Sequence, residues 1–282
     1  MQAFAQNLTP DDSTNHKITT IRIEKFYSKH LKRHVVIDIF LPPNYYQTQE
    51  KYSILYANDG QDMKAVQMES TLTKLYNENK ISHLIVVALH TSSERVQEYG
   101  TAAMPDYKGR GSKAAKYTKF VLDEVLPYIQ QTYRVKRETV STAFLGFSLG
   151  GLSAFDISWH NSYIFGKVGV FSGSFWWRKK AYEDGYDDEN DRIMQVLVRN
   201  GSYKKGLKMW LEVGTKDETD DRNNNGIIDS IDDTLDLIKE LDKKGYKKDL
   251  DYKYLCIEGG EHNQKTWSEC MPDFLIWAFG TK

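Results

Sequence analysis

Apolar positions along this chain follow two rhythms. Residues 19–28 (TTIRIEKFYS) and 33–42 (RHVVIDIFLP) alternate polar and apolar side chains, as a strand with one covered face does, and the short polar break between them predicts an antiparallel hairpin. Six later runs, YSILYAND, LIVVALH, TAFLGFS, KVGVFSG, KMWLEVG and YKYLCIEGG, are short and almost wholly apolar, the pattern of strands buried on both faces. Between several of them lie stretches of helical character: MESTLTKLYNENK, KYTKFVLDEVLPYIQQTY, SAFDISWHN, DRIMQVLVRN, DTLDLIKELDKKG and WSECMPDFLIWAF. Strands alternating with helices predict an α/β fold, a mostly parallel eight-stranded sheet with helices on both faces. Sites in such sheets form at the carboxyl ends of strands, so the residues after each run carry the search for chemistry.

Composition narrows the classes. The 282 residues are 40% hydrophobic and 27% charged, enough for one large domain over 18–282, and no linker divides them. A net charge of −1 gives no electrostatic case for a nucleic acid or an anionic membrane as partner. No apolar run reaches the roughly 18 residues of a membrane span. Residues 1–17 are polar and expected to be poorly ordered; Ala3-Phe4-Ala5 before Gln6 has the small-x-small form of a trimmed export signal, which favours a periplasmic or secreted location. Cys256 and Cys270 make no disulfide framework and read as two buried thiols, with a single bridge as the alternative. Eighteen tyrosines raise the aromatic content to 13%, stacking area that suits sugars or aromatic ligands.

The chemistry begins at AFLGFSLGGLSAF. Gly146-Phe147-Ser148-Leu149-Gly150 fits G-x-S-x-G between a strand and a helix, the setting of a nucleophile elbow. Glycines stand where the turn is too tight for side chains, and the helix N-terminus beyond offers N–H groups to a developing oxyanion. A serine needs a base, and the base an orienting acid. His262 follows the last strand in GGEHNQKTW and is the base expected from the order Ser, acid, His; the other six histidines do not match that order. The acid should follow KMWLEVG, at Asp217 with Glu218 as the alternative. Backbone N–H groups of Leu149 and of Gln61, in the Asn58-Asp59-Gly60-Gln61-Asp62 turn after the third strand, are the oxyanion donors expected.

A second pattern follows the acid. In DDRNNNGIIDSIDD, read from Asp221, oxygen-bearing side chains fall at Asp221, Asn223, Asn225, Asp229 and Asp232, with Gly226 at the sixth position and the Ile227 carbonyl at the seventh. This is the spacing of an EF-hand calcium loop, with Asp where Glu usually closes it. It predicts a structural Ca²⁺ in an insertion over 219–233 that pins the loop of the acid.

Taken together, LPPNY, LYANDGQD, the segment from Glu94 to Val135, GFSLGG, VFSGSFWW, EVGTKDE and GGEHNQKTW resemble the putative esterase family of α/β-hydrolases, which includes esterase D, feruloyl and acetyl-xylan esterases, enterobactin esterases and mycolyltransferases. The resemblance runs from about Ile21 to the C-terminus and implies an α/β-hydrolase fold and a serine carboxylic-ester hydrolase. By matching positions it implies Ser148 as nucleophile, Asp217 as acid and His262 as base, with no cofactor for catalysis. The insertion after EVGTKDE departs from the family pattern and leaves the choice between Asp217 and Glu218 open. Trp176 and Arg95 are substrate-binding candidates; their alternatives are a packed tryptophan pair and a loop-fixing ion pair. The expected partner is a small-molecule or carbohydrate ester. Acyl transfer or peptide hydrolysis on the same triad, or a calcium-stabilised binding domain without catalysis, remain as other readings.

Overall fold

The computed structural model describes residues 17–281. The expectations for disorder and a trimmed signal at the N-terminus fall on residues that lie almost wholly outside that range. Eight strands form one sheet: β1 (Thr19–Ser28), β2 (Arg33–Leu41), β3 (Ser53–Ala57), β4 (Leu84–Leu89), β5 (Thr142–Phe147), β6 (Lys167–Phe171), β7 (Lys208–Lys216) and β8 (Tyr252–Glu261). Their order is β1-β2-β4-β3-β5-β6-β7-β8. β1 and β2 form the antiparallel hairpin, β2 pairs antiparallel with β4, and every later pair is parallel. This is the α/β-hydrolase fold.

Six helices matter for the site: α1 (Met68–Asn77); α2, which runs from Ala114–Lys119 through a π-helical stretch, Phe120–Val125, into Leu126–Thr132; α3 (Leu149–His160); α4 (Ile193–Asn200); α5 (Asp229–Lys243); and α6 (Gln264–Phe279). Successive strand residues serve opposite faces. Ile54 and Tyr56 belong to one apolar cluster, with Tyr117 and Phe120 of α2, Phe155 of α3 and Leu237 of α5. Leu55 and Ala57 belong to the other, with Leu72 of α1 and Met271, Phe274 and Leu275 of α6. Covering on both faces is why the central runs carry no polar alternation.

One boundary differs from the sequence reading. The helix expected from Asp233 starts at Asp229, so Asp229 and Asp232 stand in its first turn. Carboxylates are favoured there by the unsatisfied N–H groups of a helix start. Cys256 is exposed and Cys270 buried, and both are free thiols. No helix among the described residues is long and apolar enough to cross a membrane.

Candidate active site

The elbow is built by backbone contact. A Cβ at Gly146 would stand 2.1 Å from the Gly150 carbonyl oxygen, so the strand can meet the helix only where that side chain is missing. Ser148 is driven to φ 54°, ψ −124°, a region that costs a non-glycine residue about 1–3 kcal/mol and persists only where the surroundings over-determine it. They do so here: the Ser148 N–H donates to Phe171 O at 2.8 Å, and the Ser148 carbonyl accepts from Gly151, Leu152 and Ser174 N–H groups. The Leu149 N–H stands at the first helical position of α3, where no carbonyl of that helix can reach it.

The loop after β3 is clamped to the same elbow. Asn58 Nδ2 donates to Gly150 O at 2.7 Å, and Tyr117 Oη donates to Asn58 Oδ1 at 2.6 Å. The Asp59 N–H donates to Tyr99 Oη. Arg95 closes on the Asp59 carboxylate with two hydrogen bonds, at 2.7 and 2.9 Å, and on Phe147 O at 3.3 Å. Arg95 thus forms a loop-fixing ion pair, the alternative to a substrate contact, and is not among the residues that line the cleft at Ser148. Gly60 and Gln61 line a separate groove beside α1; the Gln61 amide side chain donates to Asp59 and accepts from the Thr91 N–H.

Asp217 and His262 meet through a register shift. β7 and β8 pair in step as far as Gly214 and Ile257, and the next pair is Lys216 with Glu261. The slack on β8 is taken up at Gly259, whose φ is 71° and whose N–H donates to Thr215 Oγ1 at 2.8 Å. The residues following the last pair are Asp217 and His262, and His262 Nδ1 lies 3.8 Å from Asp217 Oδ2. The Asp217 side chain is almost fully buried, while that of His262 is 37% exposed. Both Asp217 oxygens are buried without a hydrogen-bond partner among the described residues. Glu218 lies in the same cleft but interacts with Ser230, and burial raises its pKa. Of the two candidates, Asp217 is the carboxylate that faces the histidine.

His262 is also held from below. Asn263 caps α6 by accepting from the Thr266 N–H, and the Glu261 N–H donates to Thr266 Oγ1. Trp267, one turn into α6, meets the His262 ring edge-on at 5.4 Å, stacks on Phe147 at 5.0 Å and donates from Nε1 to Ser172 Oγ at 2.9 Å. A single indole thus spans His262, the end of β5 and the end of β6. The sequence reading assigned it no role; its place five residues after the histidine, in the first turn of a helix, was the only signal.

Ser148, Ser172, Gly173, Ser174, Trp176, Asp217, Glu218, Ser230 and His262 line one cleft of about 250 Å³. Ser148 Oγ lies 3.5 Å from Ser174 Oγ, and His262 lines the same cleft. Trp176 forms a wall, with the Arg110 guanidinium 4.7 Å from its ring centroid. Trp177 is the buried member of the pair.

The insertion takes a turn-rich form. Asp221 accepts from the Asn225 and Gly226 N–H groups, Asn225 Oδ1 accepts from the Ile227 N–H, and the Asn223 and Asn225 amides donate to Asp232 Oδ2. Asp229 departs from the expected ligand set: its Oδ1 accepts from the Arg222 N–H at 2.9 Å and pairs with that guanidinium at 3.1 Å. Arg222 also reaches Asp188 and buried Asp233, tying the insertion to α5. Among the described residues no three His, Cys, Asp or Glu side chains converge as a metal site. Asp221, Asn223, Asn225 and Asp232 share one side of the loop, so a hard cation has a partial oxygen set there and no more.

Comparison with known proteins agrees with this architecture. A family model described as "Putative esterase" matches residues 28–278. A ferulic acid esterase superposes with a TM-score of 0.72 at 18% identity, over 94% of this chain and 98% of that one. The enterobactin esterase FES from Shigella flexneri, solved with enterobactin, gives 0.69 at 19% identity; the match covers 93% of this chain and only 58% of that longer protein. Among curated relatives, YbbA of Bacillus subtilis, itself uncharacterized, is 24% identical over 86% of this chain and 91% of its own.

Proposed function

The chain belongs to the Putative esterase family and is a carboxylic-ester hydrolase; we propose that it works by two-step acyl transfer on Ser148, His262 and Asp217. The observation that supports this most is the placing of Asp217 and His262 side by side, 3.8 Å apart, in the cleft that holds the strained Ser148. In this reading His262 Nε2 takes the Ser148 proton as Oγ attacks the ester carbonyl. Asp217 fixes the Nδ1–H tautomer and stabilises the imidazolium. The Leu149 and Gln61 N–H groups receive the oxyanion. His262 then protonates the leaving alcohol, and water, activated by the same imidazole, releases the acid. No step calls on a cofactor.

The cleft's one aromatic wall, Trp176, favours small aromatic or short-chain acyl groups, or an acylated carbohydrate stacked on the indole. We further propose that the loop from Asp221 to Asp232 takes a structural Ca²⁺ through Asp221, Asn223, Asn225, the Ile227 carbonyl and Asp232, with Asp229 bound to Arg222 instead. The test of the catalytic reading is covalent labelling with a fluorophosphonate. Ser148 should be modified, and Ser148→Ala should block both labelling and hydrolysis of nitrophenyl esters. An unlabelled wild-type protein would favour a binding domain, and labelling at another serine would overturn the assignment.

A further inference from the structure

Glu212 is a charged residue type in an apolar place. It lies on β7 two residues before Gly214, is 1% exposed, and neither carboxyl oxygen has a hydrogen-bond partner among the described residues. Its face of the strand is the one that carries Trp210, beneath the α6 residues Trp267, Cys270 and Phe274. Isolated carboxylates do not persist in such surroundings; they are paired or they hold their proton.

Gly214 explains what the carboxyl faces. Residues two apart on a strand share a face, and a Cβ at Gly214 would stand 2.7 Å from Asp217 Oδ1. The bare Cα of Gly214 therefore leaves a gap on the Glu212 face, and Asp217 Oδ1 turns into it. Oδ2 of the same carboxylate turns to His262. All four oxygens of the two carboxyls are buried and unsatisfied, and one proton shared between them supplies the donor both lack.

We propose that the Glu212 carboxyl donates a hydrogen bond across Gly214 to Asp217 Oδ1 and is a positioning residue of the triad. This rests on the catalytic reading given above and adds a fourth member to it. Burial first, and the Asp217 charge second, push the Glu212 pKa up to about 8, so the donor is present through neutral pH. The other titratable groups coupled to it are thiols, Cys256 of β8 and Cys270 of α6, and burial raises both, Cys270 to about 12. Neither competes for the proton near pH 8. Loss of that proton sets two buried anions against each other and releases Asp217 from its aim at His262.

Two variants test this, with kcat, KM and their pH profiles as readouts. Glu212→Leu removes the donor without adding a charge; kcat should fall by about ten-fold or more with KM held, since Glu212 does not line the cleft and what is lost is the aim of Asp217 at His262. Glu212→Gln keeps an N–H donor at every pH; it should recover kcat and lose the alkaline fall that the wild type shows near pH 8. Wild-type kcat in Glu212→Leu, or equal losses in both variants, would overturn the inference. Should Glu212→Leu not fold, Glu212→Gln decides alone: a wild-type alkaline limb overturns the proposal. Asp217→Asn separates the two levels. Full activity there sinks the triad itself, whereas loss there with silent Glu212 variants sinks only the role of Glu212.

Discussion

Ser148 and Asp217 stand in one cleft, yet they are held in opposite ways. Around Ser148 the backbone does the holding: strand, helix start and the loop after β3 meet at van der Waals limits, and Asn58, Asp59, Tyr99, Tyr117 and Arg95 satisfy one another. Around Asp217 the packing is electrostatic and incomplete, with four buried carboxyl oxygens lacking a donor and a neighbouring loop fastened by Arg222. The first side has its polar groups paired within the fold. The second depends on protons, and the insertion beside it on charges of the kind a cation neutralises.

Substitution in the cleft should show the largest contrast. Ser148→Ala should cost on the order of 10⁶ in kcat with the melting temperature held, since only Oγ leaves an over-determined turn. Asp217→Asn should cost about 10⁴ in kcat, through loss of the orienting anion, while Glu218→Gln stays near wild type. A reversal of the last two in steady-state kinetics would mean that Glu218 orients the base.

Next comes packing. Gly146→Ala forces a methyl into the Gly150 carbonyl, and the elbow has no slack; the cost should reach about 3 kcal/mol, read as a melting temperature lower by roughly 6–12 °C for a chain of this size. A smaller loss would show the elbow to be softer than its contacts imply.

The insertion should answer to calcium by a few degrees. A hundred-fold excess of Ca²⁺ over Kd stabilises the native state by about 2.7 kcal/mol, so chelation should lower the melting temperature, and Asp221→Ala with Asp232→Ala should abolish that response. Identical melting with calcium and with chelator would mean that Arg222 and the Asn223 and Asn225 amides hold the loop without a cation.

The smallest effect is a slope. Glu212 keeps its proton in the fold to about 8, whereas the unfolded carboxyl loses it near 4.5. Between those values the native state binds the extra proton, so this group's contribution to stability declines as pH rises through the window. Thermal melts should show Glu212→Gln gaining on wild type from pH 5 to pH 8; parallel curves would mean that Glu212 is ionised throughout.

Much of this was legible in the chain. Uniform apolar runs and their helical spacers dictated an α/β sheet, because a strand covered on both faces has no polar alternation to show. The elbow was legible because its geometry is local: Gly146, Ser148 and Gly150 lie within five residues, and their spacing is the constraint. Asp217 and Glu218 could not be separated, since the choice depends on the register of β7 against β8, where the shift after Gly214 brings Lys216 opposite Glu261 and so Asp217 beside His262. Asp229 likewise matched a ligand spacing, and only the fold delivered Arg222 to it. Glu212 read as one polar residue in a buried strand; its meeting with Asp217 needed the gap over Gly214. Local spacing is written along one segment of backbone, whereas the contacts of a buried carboxylate are decided by whichever segments the sheet brings alongside.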